Sequence, residues 1–246
     1  PRMMRGAPRV TAELVTAAIR SPSPDSPRAT LMCVENTFNG AGGMVTPPDE
    51  LAAIAAVARR AKLNLHLDGA RLWNAAAALG VPLARFTASA DLTMVAYSKG
   101  LGAPVGAALA GSAAYIEEAW DARKRLGGGM RQSGIIAAGA LYGLRNHLGR
   151  LSEDHANARR LAAIIAEVPG VAVVAPDTNI VMIDLPAGVT SAQVAAGARE
   201  RGVRVSTWLP QRVRCVTHLD ASSAEVEYAA TTIRDVVHAL VRGIAS

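Results

Sequence analysis

Leu63-Asn-Leu-His-Leu-Asp68-Gly-Ala-Arg71 and Leu92-Thr-Met-Val-Ala-Tyr-Ser-Lys99-Gly-Leu-Gly102 decide the fold. Each opens as a short apolar run and ends at a charged residue beside glycine, as a buried strand does on leaving its sheet. Leu72–Ala78 between them reads as a helix. Upstream, Leu31–Val34 is a third such run and stops abruptly at Glu35-Asn36-Thr37. Pro47-Pro48-Asp49 opens a helix that Arg59 and Arg60 close, with acids in its first turn and bases in its last. Val105–Ala110 reads as a further strand. Helices are predicted at Thr11–Ile19, Ala113–Leu126, Met130–Leu148 and Leu151–Val168, with a Ser/Pro loop over Ser21–Pro27. Strands alternating with helices mean an α/β unit with a mostly parallel sheet. After Pro169-Gly170 the pattern changes. Strands at Val171–Val174, Ile180–Leu185, Val203–Val205 and Arg214–Val216 share the segment with helices at Ser191–Arg201 and Ser223–Val241, an α+β arrangement. Two domains follow, a large one over 1–150 and a smaller one over 151–246.

Half of the 246 residues are hydrophobic, so a real core can form, and no apolar run is long enough to span a bilayer. The first residues lead into no apolar signal segment. The net charge of +6 invites a nucleic-acid reading, but aromatics are only 4% and the basic residues are dispersed, which argues against it. Cys33 and Cys215 sit in apolar runs and read as buried strand thiols of a cytoplasmic protein.

Only three of the basic residues are lysines. Lys62 follows a helix end and Lys124 lies in a charged helix end, where a cation complements the helix dipole. Lys99 stands directly after an apolar strand and before a Gly/Pro turn. A solvated turn lysine satisfies that pattern; so does a desolvated amine of lowered pKa, available as a nucleophile. Ligands in open α/β sheets bind at the carboxyl ends of strands. Asp68 ends a neighbouring strand, and its carboxylate requires a cation: Arg71 nearby, or a protonated heterocycle. A lysine and an aspartate at two such strand ends are what pyridoxal 5′-phosphate (PLP) needs, the amine to bond its aldehyde and the carboxylate to keep its ring nitrogen protonated. His66 reads as a packed, hydrogen-bonded histidine, since no third ligand joins it and no metal site is expected. Gly127-Gly128-Gly129 reads either as a flexible turn or as the opening of the helix at Met130-Arg131-Gln132, where backbone N–H groups and Arg131 would meet a phosphate.

Taken in order, Glu35-Asn-Thr37 with Gly42-Gly43, His66-Leu-Asp-Gly-Ala-Arg71, Ser98-Lys-Gly-Leu-Gly-Ala-Pro-Val-Gly106, Gly127-Gly-Gly-Met-Arg-Gln132, Asp154-His155 and Val216-Thr-His218 resemble the PLP-dependent threonine aldolases of the aromatic amino acid β-eliminating lyase/threonine aldolase family. The resemblance runs over nearly the whole chain. It implies the aspartate-aminotransferase-like fold, PLP fold type I. It makes Lys99 the residue that holds the cofactor covalently, Asp68 the partner of the pyridine nitrogen and Arg71 a neighbour of the phenolic oxygen. Arg214 matches the arginine that clamps the substrate carboxylate, a role suited to a bidentate guanidinium. Lys124 and Arg131 match basic residues near the active sites, across a subunit interface. The implied reaction is retro-aldol cleavage of L-threonine or L-allo-threonine to glycine and an aldehyde, by a cytoplasmic homotetramer.

Two departures from the family pattern stand out. Family members carry an opening segment of roughly a hundred residues, with the phosphate cup and a ring-stacking histidine, that is expected to be missing here. Two family histidines fall on Asp25 and Phe38. A β-eliminating lyase with the same cofactor, and an inactive truncated fragment, are the competing readings.

Overall fold

The computed structural model describes residues 9–19 and 28–245. Asp25 and the whole of the expected Ser/Pro loop, Ser21–Pro27, lie outside the described residues. The chain forms two compact units, one of residues up to 38 and 45–149, the other of 39–44 and residues from 150 on.

The first unit carries helix α1 (Ala12–Ala18), strand β1 (Leu31–Glu35), α2 (Pro48–Arg60), β2 (Asn64–Gly69), α3 (Leu72–Leu79), a short α4 (Leu83–Thr87), β3 (Leu92–Ala96), β4 (Ala107–Gly111), α5 (Ala113–Arg125) and α6 (Gly134–Asn146). Its sheet runs in the order β1-β2-β3-β4, with the first three strands parallel and β4 antiparallel. Alternation along the strands gives the sheet two unlike faces. Val34, Leu65 and Leu67 point into a core with Val15 of α1, Leu51 and Ile54 of α2, Leu72 of α3 and Phe86 of α4. The opposite face presents Leu31, Cys33 and Glu35, then His66 and Asp68, then Met94 and Leu109, in register across the strands. This face is open: Leu31, Cys33 and Leu109 are exposed.

That openness corrects two expectations. Cys33 is an exposed thiol rather than a buried one, because its parity on β1 turns it away from the helices. His66, expected to be packed and hydrogen-bonded, stands half-buried on the same face, its imidazole without a hydrogen-bond partner among the described residues.

The second unit holds α7 (Leu151–Ile165), β5 (Ala172–Val173), β6 (Ile180–Asp184), α8 (Ser191–Glu200), β7 (Ser206–Leu209), β8 (Arg212–Val216) and α9 (Ser223–Ala245). Its antiparallel sheet is ordered β5-β6-β8-β7. Val181 and Ile183 of β6, with Val213 and Cys215 of β8, meet Leu161 and Ile165 of α7, Val194 of α8, and Ile233 and Val237 of α9 in one closed core. The expected strand at Val203–Val205 is displaced to Ser206–Leu209. Val203 is buried and packs in the core, while all four residues of β7 are exposed at the sheet edge. Hydrophobicity marked burial there, not pairing.

The helix expected from Met130 begins only at Gly134. Gln132 has a positive φ of 51°, and the glycines serve the helix before: the amides of Gly127 and Gly128 donate to the carbonyls of Lys124 and Arg123 and close α5. The glycine run therefore opens no helix N-terminus. Among the described residues no helix is long and apolar enough to cross a membrane.

Candidate functional site

Three parallel strands deliver their carboxyl ends to one edge of the first sheet. Glu35, the last residue of β1, pairs in register with Asp68 of β2, and Gly69 pairs with Val95 of β3. The backbone is secured there in detail. The Asn36 amide donates to the Asp68 carbonyl at 2.8 Å, and the buried Asn36 side chain both donates to and accepts from the Thr46 backbone. Asp68 Oδ1 accepts from the Ala70 amide at 3.1 Å, which fixes one carboxylate oxygen at the entry to α3. Asn36 and Thr37 are buried, and Thr37 Oγ1 has no hydrogen-bond partner among the described residues.

Lys99 stands in the turn after β3, which local bonds hold shut. The Gly102 amide donates to the Lys99 carbonyl and the Ala103 amide to that of Tyr97. Trp73 of α3 donates its ring N–H to the Ala96 carbonyl and lies beside Tyr97. From α6, His147 Nδ1 bonds the Leu101 carbonyl at 2.8 Å. Gly143 lets α6 approach: a Cβ there would fall 2.5 Å from the Leu101 carbonyl oxygen.

The Lys99 side chain remains open to solvent, yet its pKa is lowered. Partial desolvation is the main cause and the Arg71 charge adds to it, while Asp68 and Glu35 pull the other way. Lys99, Asp68 and Arg71 are thus brought together, with a second carboxylate, Glu35. Glu35 enters the sequence reading only in the Glu35-Asn-Thr37 motif and not among the site residues. The same logic that singled out Asp68, an acid at a strand's carboxyl end, could have found it.

The other sequence-derived candidates belong to other elements. Lys124 lies in the last turn of α5 with its side chain along Gly129, and Arg131 lies in the loop before α6; both are exposed. Arg214 belongs to β8 of the second unit. There Nη1 donates to Asn39 Oδ1 at 2.9 Å, and Cζ lies 4.8 Å from the Trp208 ring centroid. A cleft of about 810 Å³ in that unit is lined by Ser206, Arg214, Thr217, His218 and Tyr228; Lys99, Asp68 and Arg71 do not line it. Among the described residues no group of three His, Cys, Asp or Glu gathers to hold a metal ion.

Comparison with known proteins gives the setting. The family model described as beta-eliminating lyase matches residues 3–187. Low-specificity L-threonine aldolase 1 of Arabidopsis thaliana is 38% identical over 222 residues, covering 88% of this chain and 62% of that protein. The low specificity L-threonine aldolase of Escherichia coli K12 is 40% identical over 199 residues, covering 81% and 58%. The chain thus spans about three-fifths of the length of these curated relatives. A solved threonine aldolase of Leishmania major superposes with a TM-score of 0.74 at 19% identity, over 93% of this chain and 67% of that one. The fold is the aspartate-aminotransferase-like α/β fold, and the chain belongs to the beta-eliminating lyase family.

Proposed function

We propose that the protein is a PLP-dependent aldolase that cleaves β-hydroxy-α-amino acids of the threonine class to glycine and an aldehyde. The observation that carries the reading is the gathering of Lys99, Asp68 and Arg71 at the carboxyl edge of parallel strands, with the Lys99 pKa lowered. The donor set fits the cofactor: an amine for its aldehyde carbon, a carboxylate for its ring N–H and a guanidinium for its phenolic oxygen. When bound, PLP accepts the electron pair released as the substrate's Cα–Cβ bond breaks.

The chain's own residues do the holding. The lowered pKa raises the share of Lys99 that is uncharged and nucleophilic near neutral pH. Asp68, one oxygen anchored by the Ala70 amide, would pair with the cofactor's ring N–H. Arg214 receives the substrate carboxylate. Lys124 and Arg131, exposed on and after α5, serve a neighbouring subunit's site. Homo-oligomerisation, with a tetramer as the reading, is supported by the apolar side chains that α5, α6 and the loop between them leave in water, Leu126 at 87% and Ile135 at 83% exposure among them. A cytoplasmic location remains part of the proposal.

Borohydride reduction of the PLP-loaded protein followed by peptide mapping tests the assignment. The expected adduct is on Lys99, and an adduct elsewhere overturns it. Product analysis with L-threonine tests the reaction. Glycine plus acetaldehyde supports the aldolase, whereas ammonia plus a 2-oxo acid replaces it with an eliminating lyase.

A further inference from the structure

Two arginines two positions apart on β8 are treated differently by the fold. Arg212 applies its Nε and Nη2 to the two carboxylate oxygens of Asp184 on β6, a side-on fork. Arg214 presents the same edge to no acceptor: its Nε is buried without a hydrogen-bond partner, and no described residue bonds its Nη2. What Arg214 does have is a pair of contacts on the guanidinium: Asn39 Oδ1 accepts from Nη1 at 2.9 Å, and Cζ lies over the Trp208 ring, 4.8 Å from its centroid. Trp208 owes its position to an irregularity, since the β7–β8 register shifts between Thr207 and Leu209 and such bulges re-aim a side chain.

Asn39 owes its position to two glycines. The turn Asn39–Met44 belongs to the second unit and lies against β6 and the residues leading into it, where Met182 is the register partner of Arg214. Thr178 Oγ1 donates to the Gly43 carbonyl at 2.7 Å. Gly42 and Gly43 have φ of 83° and 72°, and a Cβ on Gly43 would fall 2.5 Å from Thr178 Oγ1. A side chain at either position would meet backbone strain, and one at Gly43 a clash as well, so the glycines allow the turn to seat and Asn39 to reach Arg214.

We propose that Asn39, held by the Gly42-Gly43 turn, and Trp208, set by the bulge, are positioning residues that orient Arg214 so that its Nε–Nη2 edge grips the substrate carboxylate. The inference rests on the reading that Arg214 is the carboxylate's receiver, and adds which edge binds and what aims it. A guanidinium free to rotate would lose the bidentate geometry while keeping its charge.

The test is calorimetric binding of glycine and of glycinamide to the PLP-loaded protein, since the pair differs at the carboxylate. Asn39→Ala is expected to weaken glycine about tenfold, the scale of a hydrogen bond to a charged group, and to leave glycinamide unchanged. Asn39→Asp, nearly isosteric, is expected to weaken glycine further, because its carboxylate neutralises the guanidinium; it carries the test if the alanine variant does not fold. Arg214→Gln is expected to abolish the preference for glycine. If Arg214→Gln abolishes the preference while the Asn39 variants leave it intact, or weaken both ligands equally, the positioning role is overturned and the carboxylate reading survives. If Arg214→Gln leaves the preference intact, the carboxylate reading falls and takes this inference with it.

Discussion

The two four-stranded sheets bury their residues in opposite styles. Every residue of β6 but the last is buried, and the second sheet closes on a core drawn from α7, α8 and α9. The first sheet is covered on one face by α1–α4 and open on the other, and the open face ends in Glu35 and Asp68 beside Lys99. The closed sheet is the source of packing, and Arg214 is the one candidate site residue that stands on it. The open one keeps polar groups near water where a ligand can reach them.

The sharpest way to break this contrast is at the lysine. Lys99→Ala is expected to lower aldol cleavage on the order of a thousandfold or more, since no other group replaces the amine. Steady-state assays with L-threonine check it, and circular dichroism should show the fold unchanged. A core residue should behave in reverse. Ile183→Ala in the closed core is expected to cost about 2–5 kcal/mol in urea unfolding, whereas Leu109→Ala on the open face should stay within about 0.5 kcal/mol. Equal costs would mean that the two faces are equally buried in solution.

A pH scan sharpens the same comparison. Burial, with a smaller contribution from the Arg159 charge, pushes the His155 pKa down to about 4. The unfolded chain therefore binds a proton that the folded one refuses. His155 leaves stability intact above pH ~6.5 and withdraws roughly 3 kcal/mol as pH falls toward 4. The neighbouring Asp154, whose pKa burial raises, acts in the opposite sense and gains stability as pH falls. His155→Gln should flatten the fall between pH 6.5 and 4 in denaturant titrations.

The smallest effect is at the thiols. Cys33 on the open face should alkylate in the native protein. Cys215 should not, because it is buried and its pKa is pushed up to about 12. Mass spectrometry of native protein treated with iodoacetamide should find one modified cysteine.

Much of this was legible in the residues themselves. The apolar runs before Glu35, Asp68 and Lys99 read as strands because burial selects side chains locally, and the helices of the second unit followed from their periodicity. The departures share one cause. Ser206–Leu209 pairs at an exposed edge and carries no hydrophobic alternation to mark it. Leu83–Thr87 is a single short turn of helix after a proline. The start of α6 depended on which helix the glycines 127–129 would cap. Cys33 sits in an apolar run like any buried strand residue, and only the absence of a covering layer shows it to be exposed.

The alternation of strands and helices in the first unit, the charged residues at the strand ends and the family to which they point were determined by the sequence alone, because each is a local pattern of side-chain type and spacing. Tertiary structure alone decided which face of the first sheet stays open and that Asn39 meets Arg214 across 175 positions of chain. Those are long-range pairings, set by which surfaces pack together, and no local pattern of residues encodes them.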